Sequence, residues 1–386
     1  MVDADKVPVA ELGDLIHVDE PLPFRVHDAQ GRLLLNVGQV LASARQLEAL
    51  VERGAWVERG DVEERRRRLH PESATARPAV VRQRSLFDLW EHALWDLDAV
   101  VRPLSQGRGV AADLQAHAEH VDALIERDTD IALFMAVRQE DRRFALYPLA
   151  HSLHAAVLVH VAARQLGWPV PRRRALLGAA LTMNVSMLEL QAHMAEQDMP
   201  PSARQLDAIR AHPGQSMQLL HAAGIHDATW LTAVAQHHEH PDGGGYPQGL
   251  KVLGEDAHLL RIADVYMAKL TPRATRAPLL PQVAARQLFQ QEPGSAVAMA
   301  LIKAIGVHPP GSLVTLKSGE VAVVARRAPS GPAPQVCTLS DTHGKPSVNS
   351  RLVDSHDPAH AIAGALTDTT GYPRVLPERV YGFVPA

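Results

Sequence analysis

The sequence predicts a mainly α protein with a small mixed α/β module ahead of the helices and a β-rich appendage behind them. Three observations carry this. From Ser85 to about Pro309, apolar residues recur at helical spacing with Pro or Gly at the breaks. Near the N-terminus the pattern is strand, turn, strand. After Gly311 the period switches from helical to alternating.

Residues 1–57 form the first module. Phe24-Arg25-Val26-His27 reads as a strand, Asp28-Ala29-Gln30-Gly31 as a turn, and Arg32 to Val37 as the returning strand. Ser43 caps a helix through Leu47, Leu50 and Val51 that stops at Gly54. Residues 58–84 read as a linker, with the charge block Glu63-Glu64-Arg65-Arg66-Arg67-Arg68 followed by Pro71 and Pro78. The helical domain spans 85–310. Its predicted helices cover the stretch from Leu86 to Val101, then 111–126, 129–139, 147–166, 173–195, 203–223, 228–238, 255–270 and 281–291. No fixed-period repeat is visible. The appendage spans 311–386. Leu313-Val314-Thr315-Leu316 and Val321-Ala322-Val323-Val324 flank a Gly319 turn, and a further strand covers Gln335–Leu339.

Composition excludes several classes. The 386 residues are 46% hydrophobic and 21% charged, which is not a disordered chain. The net charge of -4 gives no support for a nucleic-acid binder. One cysteine, Cys337, excludes a disulfide framework and a thiolate zinc site, and suits a cytoplasmic, reducing compartment. That thiol is expected to be a small buried residue. No apolar run approaches a membrane span of ~20 residues, and the acidic N-terminus is not a secretory signal. Histidine, at 21 residues, is the unusual count.

The histidines concentrate around Gln236-His237-His238-Glu239-His240-Pro241-Asp242-Gly243-Gly244-Gly245-Tyr246-Pro247. Two adjacent histidines end an apolar helix and both reach one metal site if the helix stops there. Gly243 and Gly245 let the loop run close to a ligand. Tyr246 offers a stacking face. Elsewhere, His117 and His120 read as solvated residues of a polar helix, and Arg172-Arg173-Arg174 as a solvent-facing helix start.

This segment resembles the HD-GYP family, through Gly245-Tyr246-Pro247. The resemblance extends upstream to Tyr147-Pro148-Leu149-Ala150-His151 and to Ile209-Arg210-Ala211-His212-Pro213. Downstream it takes in Leu260-Arg261-Ile262-Ala263-Asp264-Val265-Tyr266 and Ile305-Gly306-Val307-His308-Pro309-Pro310-Gly311, covering about residues 145–325. It implies an HD-type helical bundle and a bacterial signalling protein. Family members bind two or three divalent metals, usually iron or manganese, and hydrolyse cyclic di-GMP. By that resemblance the metal ligands are His151, His212, His237, His238 and Asp264. Gly243, Gly245, Tyr246, Pro247, Arg273 and Arg276 would contact the ligand.

The chain departs from the pattern at the residues that name the fold. The family's His-Asp pair falls on Met183-Asn184, its Gly-Lys on Ser186-Met187, and a second aspartate on Met267. A thioether suits hard or borderline divalent metals poorly, and a carboxamide brings no charge. Two dications about 3.7 Å apart repel by on the order of 18 kcal/mol at an effective dielectric of about 20, and an anionic bridge normally offsets much of that. The two-metal site should therefore assemble poorly. Met183 and Met187, four apart, are expected on one helical face, filling the former pocket. Glu189 reads as a surface or capping residue.

The leading expectation is a degenerate HD-GYP protein. It would be a binding or regulatory module in cyclic di-GMP signalling with little or no phosphodiesterase activity, holding one divalent metal or none. Its partners would be cyclic di-GMP or a related guanine nucleotide, a signalling protein, and a second copy in a dimer. Two alternatives stay open: an active phosphodiesterase with a single-metal site, and a metal-free interaction scaffold related to HD-output domains.

Overall fold

The structure is a computed structural model. It describes residues 5–18, 20–41, 43–69, 84–138, 146–274, 276–328, 333–347, 349–367, 372 and 375–385. The chain divides into two compact units, residues 1–99 with 384–386, and residues 100–383.

The first unit holds a four-stranded antiparallel sheet in the order β1-β4-β2-β3, from β1 (Lys6–Pro8), β2 (Val26–His27), β3 (Leu33–Leu35) and β4 (Trp56–Glu58). The β2–β3 turn forms because the Asp28 carboxylate accepts the backbone N–H groups of Gln30 and Arg32 while Gly31 takes φ 84°. Helix α1 (Ala44–Glu52) is capped by Ser43, whose hydroxyl accepts the Gln46 N–H. Residues 59–69, expected as linker, instead form helix α2 (Arg59–Leu69). It packs on β1 and β4 and buries Val62. Val62 and Leu69, seven residues apart among charged ones, left no periodic signal for it. The remaining linker residues 70–83 lie outside the described residues. Helix α3 (Leu86–Ser105) runs across the division between the units.

The second unit is the helical domain. Its helices are α4 (Ala111–Arg127), α5 (Thr129–Val137), α6 (Tyr147–Gln165), α7 (Val170–Thr182), α8 (Leu188–Glu196), α9 (Ala203–Ala222), α10 (Ala228–Gln236), α11 (Glu255–Leu270), α12 (Pro281–Gln291) and α13 (Ala296–Ile305). The core sits around α6, which is apolar on nearly every face. An all-round apolar helix must be central, and α6 packs against α5, α7, α11 and α13. The helix expected over 173–195 is two helices, because the chain turns at Val185–Met187 in a single 3-10 turn. The stretch Val170–Glu196 is long and apolar enough on average to cross a membrane, and most of its apolar window is buried in the bundle.

After α13 the chain forms a five-stranded antiparallel sheet, order β8-β7-β6-β5-β9, from β5 (Leu313–Leu316), β6 (Val321–Arg326), β7 (Gln335–Thr338), β8 (Leu352–Asp354) and β9 (Ile362–Ala365). Both faces are apolar. Val323, Ala325, Cys337 and Leu339 face Phe134 of α5, with Val380 of the short helix α14 (Pro377–Tyr381). Val314, Leu316, Ala322, Val324 and Val336 form the other core. This sheet belongs to the same compact unit as the bundle. The Cys337 thiol is buried, as its small apolar character required.

One histidine expectation fails here. His117 is buried, not solvated, while His120 is exposed. The three arginines lie at the start of α7, Arg174 exposed and the other two partly so, and all three are engaged. Arg172 lies over Trp168 and pairs with Asp256 and Glu255, Arg173 reaches Glu126, and Arg174 pairs with Asp122.

His117 gives the fold an acid limb. Burial, with the charge of His120 second, pushes its pKa from the ordinary 6.5 down to about 3. Below pH 6.5 the unfolded chain takes a proton that the folded chain refuses. Stability from this group is complete above 6.5 and falls as pH drops towards 3. The loss approaches about 1.4 kcal/mol per pH unit, or roughly 2 kcal/mol between pH 6.5 and 5. His117→Leu is expected to flatten urea-unfolding stability over that interval by this amount. Equal slopes in the two proteins would refute the assignment.

Candidate metal centre and ligand pocket

Helix α9 places the first imidazole. Pro213 lies inside the helix and has no N–H, so the carbonyl four residues earlier, Ile209, loses its helical donor. The His212 ring takes that vacancy, donating Nδ1–H to Ile209 O at 2.6 Å. Helix α10 ends just before His237, which leaves its last carbonyls without helical donors. His237 donates Nδ1–H to one of them, Val234 O, at 2.7 Å.

A carbonyl only accepts, so both rings carry their proton on Nδ1 and a lone pair on Nε2. Those two Nε2 atoms face each other at 3.1 Å. Two buried lone pairs at that distance repel, and a shared cation converts the repulsion into coordination. Burial and the neighbouring His237 lower His212 to about 3. Burial also lowers His237 and, more strongly, His238. All three are therefore neutral near pH 7, the form that binds a metal. His212, His237 and His238 bring one ligand atom each to within 4.8 Å of one another. These residues fit one divalent cation.

His151 and Asp264 form the adjoining wall. His151 Nε2 meets Asp264 Oδ1 at 2.6 Å. Burial pushes Asp264 up, but the His151 hydrogen bond and the surrounding imidazoles outweigh it and hold the carboxyl below its usual range. On the same helix, Arg261 and His258 both pair with Glu292. One turn before His151, Tyr147 stacks on its ring, centroids 5.5 Å apart. The residues thus separate into a trio and a pair.

Residues 134–294 match the family model for the HD domain. This segment is an HD domain. The chain is also similar to the cyclic di-GMP phosphodiesterase PA4108 of Pseudomonas aeruginosa, 26% identical over 213 residues, covering 54% of this chain and 51% of that protein. The chain thus spans about half the length of that curated relative. Among solved structures it is similar to Bd1817, an HDG"Y"P protein from Bdellovibrio bacteriovorus, with TM-score 0.50, 14% identity, and coverage of 77% of this chain and 98% of the other. That likeness shows a shared fold.

Met183 and Asn184 close helix α7 of the HD domain, and both are buried. Met187 lies in the 3-10 turn, so it shares no helical face with Met183 as the spacing suggested. The turn interrupts the helix between them. Met267 is fully buried in α11. Ser186 does more than replace a family residue. Its hydroxyl donates to His212 O at 3.1 Å and lies 2.9 Å from Ser216 Oγ, tying the turn to the helix that carries His212. Glu189 is on the surface, paired with Arg102. Helices α7 and α10 are held in register where Trp230 covers Gly178. A Cβ there would lie 2.3 Å from the indole, and Trp230 Nε1 donates to Thr182 Oγ1 at 2.9 Å.

The Gly-rich loop is organised by a residue the sequence did not single out. Glu239 is fully buried, and its carboxylate accepts the backbone N–H groups of Gln248 at 2.6 Å and Leu250 at 2.9 Å. Gly243 takes φ +78°. At Gly245 a Cβ would lie 2.3 Å from His240 N, so the loop closes only with glycine. Closure brings Tyr246, joined to Pro247 by a cis bond, onto His238 at 4.7 Å between ring centroids. Arg273 donates to the Tyr147 hydroxyl, whereas Arg276 bonds the Ala268 carbonyl and is exposed.

Glu239→Gln tests the loop. The amide keeps one acceptor and turns an NH2 towards the second backbone N–H. The expected cost is on the order of 3 kcal/mol for the lost charge-assisted bonds. Hydrogen exchange should accelerate at Gln248 and Leu250 while α6 stays protected. Unchanged loop protection would refute the role.

Proposed function

We propose that this chain is a degenerate HD-GYP protein that binds cyclic di-GMP or a related guanine nucleotide and hydrolyses it little or not at all. The observation that carries this reading is the buried Met183-Asn184 at the end of α7. There, by resemblance, the family has an imidazole and a bridging carboxylate. A thioether and a carboxamide leave no anion to hold two dications together.

The rest of the site favours binding. The trio His212, His237 and His238 would hold one divalent ion, iron or manganese by resemblance. When bound, such an ion supplies Lewis acidity and lowers the pKa of its water. Tyr246 presents a flat face beside the trio that suits a nucleobase. Arg273 supplies a cation that suits a phosphate. The cyclic di-GMP phosphodiesterase relative supports the nucleotide class. The same loop surface would serve a signalling protein partner, and a reducing cytoplasm suits the one buried thiol.

One anaerobic preparation decides the matter. Metal content, cyclic di-GMP affinity and turnover are measured on the same sample. The expected result is at most about one metal per chain, measurable nucleotide binding and turnover far below an intact family enzyme. Two metals with comparable turnover would overturn the reading. A second reading, a single-metal phosphodiesterase, is favoured by the facing Nε2 atoms. It predicts slow turnover that rises with added manganese and disappears in His237→Ala.

A further inference from the structure

We propose that Tyr147 is a positioning residue that holds the Arg273 guanidinium in place for a phosphate group of the ligand. The inference rests on the nucleotide-binding reading above for the ligand class, and goes beyond it in naming what fixes the cation.

The geometry is specific. Tyr147 is buried at the start of α6 with its ring stacked on His151, interplanar angle 15°. Its oxygen accepts two donors from one guanidinium, Nε at 3.1 Å and Nη2 at 2.6 Å. The guanidinium carbon also sits 5.2 Å from the ring centroid. The fork is thereby locked on one side, and the remaining N–H groups are left for another acceptor.

The charge balance points the same way. Arg172, Arg174, Arg261, Arg326 and Arg327 each meet a carboxylate. Among the described residues no carboxylate pairs with the half-buried Arg273; its side chain is held by a phenol. A phenol is uncharged near neutral pH and does not cancel the charge. A half-buried cation held by a neutral group is costly to maintain without an anion. An incoming phosphodiester supplies one. Arg273 has several rotatable bonds, and fixing them before binding removes an ordering cost of about 0.5–1.5 kcal/mol.

The test uses the full chain and two probes, cyclic di-GMP and inorganic pyrophosphate, each titrated calorimetrically. Tyr147→Phe keeps the ring on His151 and removes only the oxygen. We expect it to weaken both probes about fivefold to tenfold, Arg273→Ala to weaken them at least as much, and the double variant to match Arg273→Ala. Metal content should be unchanged throughout. A structural role alone would not produce this coupling. Wild-type affinity in Tyr147→Phe, losses that multiply in the double variant, or a wild-type chain that binds neither probe would each overturn the inference. Coupling seen with pyrophosphate in a chain that ignores cyclic di-GMP would sink the nucleotide reading and leave this inference standing. Cyclic di-GMP binding untouched by either substitution would do the reverse.

Discussion

Alanine at His237 is expected to strip the chain of tightly held metal. His237 is fully buried and its Nε2 lies 3.1 Å from that of His212. The nearby carboxylates are already engaged: Glu239 is committed to two backbone N–H groups, and Asp264 to His151. Loss of an outer partner of a metal ligand typically costs ~10–100-fold in affinity. Loss of one ligand in three should cost more than ~100-fold. The measurements are metal per chain after dialysis, and the thermal midpoint with and without added manganese. Wild-type chain should be stabilised by the ion according to mass action, and His237→Ala should not. Tyr246→Phe, which keeps the ring stacked on His238, should retain the metal. A His237→Ala protein with wild-type metal content would mean that the three imidazoles are not the site.

The fold was legible wherever burial imposed a period. The helices at 147–166, 203–223 and 255–270 appear within a residue or two of expectation because each must bury apolar residues at helical spacing. Prediction failed where a local turn or a tertiary contact decides. The break at Val185–Met187 has no Pro or Gly to mark it, and α2 buries Val62 amid a charged run. His117 reads as polar on a charged helix, yet tertiary packing buries it. At the candidate site, the ordered motifs pointed to His212, His237, His238, His151 and Asp264, which the structure groups as three imidazoles and one hydrogen-bonded pair. That division was not legible, because it depends on the Pro213-freed carbonyl of Ile209 and on which atoms face each other. Glu239 escaped because nothing in sequence distinguishes a buried carboxylate from a solvated one.

The largest gain of function is expected from rebuilding the pair at the end of α7. Asn184→Asp changes charge but hardly shape, at a position 3% exposed. Two residues on, Ser186 is bonded to the carbonyl of His212, so this turn belongs to the same wall as the imidazole trio. Without metal the new carboxylate is a buried charge, and Asn184→Asp should lower stability by a few kcal/mol. With iron or manganese the sign reverses, because the anion offsets part of the ion–ion repulsion that otherwise keeps a second dication out. Met183→His adds a borderline nitrogen where a soft thioether now sits. The imidazole is no larger than the side chain it replaces, and the residue caps the helix in an αR conformation open to either. Met183→His with Asn184→Asp is therefore expected to raise bound metal from about one towards two per chain, and cyclic di-GMP turnover by ~100-fold or more. That rise corresponds to about 2.7 kcal/mol of barrier. The decisive comparison is metal stoichiometry and turnover in wild type, each single variant and the double variant. A folded double variant that gains neither metal nor rate would show that something other than residues 183 and 184 limits the chemistry of this pocket.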